Sequence, residues 1–213
     1  MTAAPPPTPA DRPRPGLRER KKIKTRVAIR AATFALIERQ GYDATTVEQI
    51  ADRAEVSAST VFRYFPAKED IVLSDEYDPL LLDELRARPA GEPWTASLRD
   101  VLREAVARGC AEHPEAVRLR ARLVVEVPAV RARMRELLSV TGRLLAETIG
   151  ARTGLDPAGL EVRVFATSLL SALSEVFIHW AENGFEGDLG DLVDRALDVH
   201  EHGLPTGPAP ENP

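Results

Sequence analysis

A single cysteine, Cys110, stands in 213 residues, which excludes an intramolecular disulfide and any multi-cysteine metal site. Its thiol is expected to be a small buried or half-buried side chain. No run reaches the roughly 18 consecutive apolar residues of a membrane span, and the leading residues are Pro-rich rather than apolar. The expectation is therefore a cytoplasmic protein with no membrane partner. There is no Gly-rich phosphate loop, no His-x-x-x-His pair and no Cys-x-x-Cys, so neither a cofactor nor a metal is expected and enzymatic chemistry lacks residues to carry it. His200 and His202 are two apart and fall on different helix faces. His113 precedes Pro114 at a turn, and His179 ends an apolar segment, so structural roles suffice for both. Strand alternation and internal repeats are missing too, which leaves an all-α chain.

What the chain has is a strong division of charge. Residues 1–70 hold 13 Lys and Arg against 9 Asp and Glu, a net of +4, whereas residues 71–213 hold 15 against 24, a net of −9. All four lysines, Lys21, Lys22, Lys24 and Lys68, lie in the first part. One end thus attracts phosphate while the other is repelled by it, and the overall charge of −5 is a poor guide to partners. With 44% hydrophobic residues the chain can build a small domain and a larger one.

Residues 1–16 contain six prolines and are expected to form a disordered arm whose Arg12 and Arg14 can reach a minor groove. A first helix follows over Leu17–Gln40, with Ile23, Val27, Ala31, Phe34 and Ala35 on one face and Gly41 as its stop. Its exposed cluster of Arg18, Arg20, Lys21, Lys22, Lys24 and Arg26 suits phosphates, although a solvated helix face explains the same residues.

The stretch Thr46 to Lys68, TVEQIADRAEVSASTVFRYFPAK, carries the function. Val47, Ile50, Ala51 and Ala54 keep helical spacing behind a Thr46/Gln49 capping box. Glu55-Val56 makes a turn, and Ser57 caps a second helix whose Val61 and Phe65 point inward. Pro66 ends it. Ala58, Ser59, Thr60, Arg63 and Tyr64 are left on the outside, the pattern of a helix-turn-helix whose second helix enters the major groove.

The segment ATTVEQIADRAEVSASTVFRYFPAKEDIV resembles the signature of TetR-family bacterial transcription regulators. The resemblance covers roughly residues 17–77. It implies an all-helical homodimer with a three-helix DNA-binding domain and a larger, variable effector-binding domain; the first is expected over 17–70, the effector-binding and dimerisation domain over 71–203, and a disordered tail at 204–213. Carried over residue by residue, it implies DNA contacts by Ala58, Ser59, Thr60, Phe62 and Tyr64, and phosphate contacts by Thr46 and Lys68. Phe62 departs from the commoner tyrosine and has no hydroxyl to offer a phosphate. Arg63 can read guanine or point away, and Tyr64 suits the core equally well.

Past Lys68 a longer helix is expected through Ile71 and Leu73 to Leu85, bent or interrupted at Pro79. Pro89 to Pro93 reads as a linker. Further helices are expected over 94–110, 114–127 and 129–152, with Pro128 separating the last two. The segment 157–183 is apolar nearly all round, and its two stripes imply burial on two sides. With the last helix, 188–200, it looks like half of an intersubunit four-helix bundle. Val176, Trp180, Leu189, Leu192, Val193 and Ala196 are the candidate dimerisation residues.

About 130 residues of amphipathic helix exceed what dimerisation needs, and the resemblance implies a pocket for a small hydrophobic effector. Periodicity cannot separate pocket from core; Leu123, Val127, Phe165 and Leu169 are the candidates. VFRYFPAKEDIVLSDEYDP also resembles a subgroup of regulators of mycofactocin-type systems, some of which respond to acyl-CoA. That resemblance implies CoA-phosphate contacts among Arg118, Arg120, Arg122, Arg131, Arg133 and Arg135, which solvated helix faces explain as well. The expected function is a dimeric repressor released from a palindromic operator by its effector. The alternative is a constitutive architectural DNA-binding protein or a helical scaffold without an effector.

Overall fold

In the computed structural model, which describes residues 16–74, 78–89 and 91–204, helices account for all regular structure. In chain order these are α1 (Leu17–Gln40), α2 (Val47–Arg53), α3 (Ala58–Tyr64), α4 (Lys68–Leu73), α5 (Asp78–Ala87), α6 (Trp94–Glu112), α7 (Pro114–Glu126), α8 (Pro128–Thr153), α9 (Leu160–Glu182) and α10 (Leu189–His202). The arm with Arg12 and Arg14, and the tail beyond Leu204, lie outside the described residues.

Local chemistry sets the boundaries of the first three helices. Gly41 ends α1 at φ 84, a left-handed conformation that glycine adopts without penalty. Thr46 starts α2 with a reciprocal capping box: Gln49 N donates to Thr46 Oγ1 at 3.3 Å and Thr46 N to Gln49 Oε1 at 3.1 Å. Ser57 Oγ accepts from Thr60 N at 3.1 Å at the start of α3. Between them Glu55 holds φ 55, so the turn stores strain in a residue with a Cβ. Ile29, Leu36, Ile50, Ala51, Val61, Phe65 and Ile71 close into one core under these helices.

Beyond Lys68 the expected long helix is two helices. α4 ends at Leu73, and Ser74 turns extended at φ −69, ψ 137. Pro79 falls in the first turn of α5, where its missing N–H costs nothing. The interruption lies in the turn before the proline, where a proline breaks a helix.

In the second domain α9 runs through the middle, packed against α7, α8 and α10. Val162, Ala166, Leu169, Val176 and Trp180 of α9 join Leu98, Val101, Leu145, Ile149, Val193 and Leu197 in the larger core. Among the described residues α9 is the one helix whose length and mean hydropathy, 1.4, would suit a membrane span; 22% of that stretch is buried within this chain. Asn183 and Gly184 close it, and Phe185 N donates back to Trp180 O at 2.8 Å.

A third cluster joins the domains. Ile37 and Tyr42 from the α1 side and Val72 of α4 pack with Leu119, Leu123 and Val124 of α7 and Val130 of α8. The boundary expected at residue 70 thus runs through α4, whose Ile71 belongs to the head and whose Val72 belongs to the joint.

Candidate nucleic-acid interface and the core behind it

Only Val61 of α3 is buried. Ser59, Phe62 and Arg63 are exposed, while Ala58, Thr60 and Tyr64 are half-buried. Phe62 is 50% exposed, a large uncovered aromatic on a helix otherwise built from small and polar residues. Tyr64 packs partly on the head core, with the Arg63 guanidinium 5.3 Å from its ring centre. The Ser57 hydroxyl also meets Ser59 Oγ at 2.9 Å and Thr60 Oγ1 at 2.8 Å. Thr60 is thereby tied into the cap as well as turned toward the outer face.

Thr46 is exposed at the start of α2; its oxygen accepts inside the capping box and its hydroxyl proton remains free to donate. On α1, Arg18, Arg20, Lys21, Lys22 and Lys24 are exposed. Arg26 instead lies over the buried Phe65 ring at 4.8 Å, so part of the basic cluster serves packing.

Lys68 has a structural task that the sequence did not reveal. Its ammonium donates to Tyr42 O at 2.8 Å and to Thr45 O at 2.9 Å, and sits 3.9 Å from the Tyr42 ring centre. It ties the loop before α2 to the start of α4. Burial pushes its pKa down, against the opposing pull of Glu69 and Asp43. Of three N–H donors, one remains for a phosphate. Tyr42 Oη in turn donates to Glu69 Oε1 at 2.6 Å, and burial followed by that carboxylate pushes the phenol pKa well above its ordinary value.

The four pocket candidates do not come together. Phe165 and Leu169 belong to the larger core, while Leu123 and Val127 belong to the interdomain cluster. Two surface grooves, of about 370 and 260 Å³, lie on the head and share Arg53. The dimerisation candidates divide similarly. Val176, Trp180, Leu189 and Val193 are buried in their own protomer, and Leu192 and Ala196 pack partly against the same core. The apolar side chains that α8, α9 and α10 leave exposed are others: Val140, Leu144, Leu160, Val164 and Val199. Periodicity marks apolar stripes but not which of them faces the chain's own domain.

The arginines proposed for CoA phosphate also separate. Arg120 Nε donates to Val72 O at 3.1 Å. Arg131 donates to Val124 O at 3.0 Å and to Val125 O. Arg133 Nε donates to Asp70 Oδ1 at 2.7 Å. Arg118 reaches over Trp180 and Phe185, and Arg122 and Arg135 are exposed. The first three act inside the fold, where a backbone carbonyl or carboxylate uses their donors.

A capped, outward-facing second helix on a small three-helix head, set on a larger helical domain, defines a helix-turn-helix DNA-binding regulator. The chain belongs to the TetR family. Residues 29–74 match the bacterial regulatory proteins of the tetR family and residues 92–205 match the MftR C-terminal domain. The second match agrees with the subgroup resemblance. TcmR, an HTH-type transcriptional regulator of Streptomyces glaucescens, is 37% identical over 150 residues, 67% of this chain and 66% of TcmR. KstR, a transcriptional repressor of Mycobacterium tuberculosis, is 40% identical over 57 residues, 27% of this chain and 24% of KstR. The chain thus spans just under two thirds of TcmR and about a quarter of KstR. In structure it is similar to Thermus thermophilus FadR, a TetR-family repressor in complex with lauroyl-CoA, with a TM-score of 0.58 at 25% identity over 88% of this chain and 99% of that one. Bacillus subtilis FadR in complex with stearoyl-CoA has the same fold, with a TM-score of 0.57 at 22% identity over 84% and 98%.

Proposed function

We propose that this protein is a dimeric repressor that binds a palindromic operator and leaves it when a hydrophobic effector, an acyl chain or acyl-CoA, binds the second domain. The observation that carries the DNA half is α3: its fold depends on one buried side chain and two caps, so Ser59, Phe62 and Arg63 are free to face a groove. Ala58, Thr60 and Tyr64 flank them, and Thr46, Lys68 and the basic face of α1 supply the phosphate contacts. A regulator of this kind acts in the cytoplasm, where its DNA is, and performs no catalysis.

One helix-turn-helix reads a half-site, so a palindrome needs two copies. The surface for the second copy is formed by α9 and α10, where Leu160 and Val164 of α9 are exposed at 72% and 57% and Val199 of α10 is exposed as well. Pairing these helices across a two-fold axis completes a four-helix bundle and removes that apolar area from water. The acyl-CoA half is supported by the likeness to FadR bound to lauroyl-CoA. Arg118, Arg122 and Arg135 are exposed and are the arginines left as candidates for a phosphate contact.

Selection of duplexes from a random pool by the full chain, followed by competition with lauroyl-CoA, free CoA and laurate, tests both halves. The expected outcome is an inverted repeat bound by two copies and released by lauroyl-CoA alone. Failure to enrich any sequence would remove the DNA half. Enrichment of a sequence that no acyl-CoA releases would leave the constitutive alternative.

A further inference from the structure

The switch must cross from the second domain to the head, and the break at Ser74 bears on the route. A continuous helix from Lys68 to Leu85 would carry a displacement along its own axis. Here α4 ends at Leu73 and Ser74 is extended, so α5 cannot turn α4 as a rigid rod.

The polar contacts made by arginines of α7 and α8 supply another route. At the start of α4, Asp70 has its side chain only 10% exposed. It accepts from Ala67 N at 3.0 Å and receives a two-pronged contact from Arg133 of α8, Nε to Oδ1 at 2.7 Å and Nη2 to Oδ2 at 3.3 Å. At the end of α4, Arg120 of α7 donates to Val72 O at 3.1 Å and to Ser74 O at 3.4 Å. A guanidinium on the last carbonyls of a helix satisfies orphan acceptors and complements the dipole. Its planar fork on a carboxylate fixes direction as well as distance. Between the two ends Val72 is fully buried against Leu119, Leu123, Val124 and Val130. Six residues of helix are thereby held at both ends and along one side by α7 and α8. α5 has a separate fastening, Arg152 of α8 donating to Leu85 O at 2.7 Å and to Arg88 O at 3.2 Å.

We propose that Arg133 on Asp70 and Arg120 on the carbonyls of Val72 and Ser74 form a clamp through which α7 and α8, and not α5, set the position of α4 and so of α3. The inference rests on the regulator reading for its purpose, but the clamp is tested without any effector. These are positioning residues; none touches DNA. Asp70→Asn is the sharpest variant, because an amide oxygen still accepts from Ala67 N while the ion pair is lost.

The test is amide hydrogen exchange on the full chain, alone and bound to a duplex it has selected from a random pool. In the wild-type protein the duplex is expected to slow exchange in α3, in α4 and, through the clamp, about tenfold in residues 117–134 of α7 and α8, within the usual range of coupling between sites. Asp70→Asn and Arg133→Gln are expected to keep protection of α3 and lose that of α7 and α8. Arg152→Gln is expected to retain both. Full α7–α8 protection in the first two variants, or its loss in Arg152→Gln alone, would overturn the proposal. A wild-type protein that selects a duplex yet shows no α7–α8 protection would overturn it too. If a variant no longer binds, or if the wild type selects no sequence and the regulator reading itself fails, calorimetric unfolding decides. Head and second domain melting together in the wild type and separately in Asp70→Asn supports the clamp, and one shared transition in both refutes it.

Discussion

α3 and α9 are opposite solutions to the same problem. The seven residues of α3 bury one side chain, Val61, and rely on the Ser57 cap and on Phe65 just past their end. The 23 residues of α9 bury Val162, Ala166, Leu169, Val176 and Trp180 and have no side-chain cap at their start. Short helices are marginal on their own, so caps decide where they form, whereas a long helix takes its stability from packing. The consequence is in what each leaves uncovered: Ser59, Phe62 and Arg63 of α3 stay exposed, while most apolar side chains of α9 are committed to their own domain.

The sharpest way to break this contrast is to cut each core. Phe65 is 2% exposed among few core partners, and Phe65→Ala is expected to cost about 3–5 kcal/mol, enough to abolish specific DNA binding. Leu197→Ala in the larger core is expected to cost a similar ~2–5 kcal/mol yet leave binding to the selected duplex measurable. Denaturant unfolding and mobility shift on both variants check this; Phe65→Ala protein that binds like the wild type would contradict the view of a head with no reserve.

Assembly separates the two kinds of apolar residue on α9 and α10. Val193 is 1% exposed and Val164 is 57% exposed. Val193→Asp places an unpaired charge in the core and is expected to unfold the domain. Val164→Asp is expected to leave the protomer folded and to weaken dimerisation by roughly 2–3 kcal/mol, a buried unsatisfied polar group's cost. Sedimentation at micromolar concentration resolves them, and a Val164→Asp protein as dimeric as the wild type would rule out this face.

Lys68 tests whether the head divides cleanly into fold and contact. Removing its ammonium takes one donor from the carbonyl of Tyr42, which keeps Thr45 N at 3.1 Å, and one from that of Thr45, so Lys68→Ala is expected to destabilise the head by about 1–3 kcal/mol. If the remaining N–H meets a phosphate, the salt slope of DNA binding falls by about one as well; an unchanged slope would make the residue purely structural. The pH dependence has a defined sign. Burial lowers the Lys68 pKa in the folded state, so the unfolded chain holds that proton more tightly. The group therefore weakens the fold below its folded pKa, and the penalty fades as pH rises toward the alkaline range. Lys68→Met is expected to flatten that part of the stability profile.

What could be read from the sequence follows the same contrast. Thr46, Gln49, Ser57 and Gly41 act on groups within four residues of themselves, so the starts of α2 and α3 and the end of α1 were legible. Val61 and Phe65 were placed correctly because the short helix has one inner face. The α4–α5 break was legible through Pro79, the visible breaker, although its onset at Ser74 carries no such mark. Which apolar stripe of α9 stays uncovered was not legible: both have the same period, and only contact with α7, α8 and α10 shows which one is used up. Arg120, Arg131 and Arg133 read as solvated or ligand-facing because their partners lie 48, 7 and 63 residues away.

The smallest expected effect is also the most local. Phe62 is half exposed on α3 and lacks the hydroxyl that a tyrosine would bring to the same place. Phe62→Tyr adds one polar atom at a position where no core contact is lost, so the unfolding free energy is expected to stay within about 0.5 kcal/mol of the wild type, as for surface changes generally. If α3 enters the groove with this face toward the backbone, the new hydroxyl gains a phosphate hydrogen bond of about 0.5–1.5 kcal/mol, a roughly two- to tenfold tighter complex that appears equally on selected and scrambled duplexes. Tightening on the selected duplex alone would instead put the ring against a base. No change on either duplex, with stability intact, would place Phe62 outside the contact surface, and the face of α3 toward DNA would then have to be Ser59 and Arg63 without it.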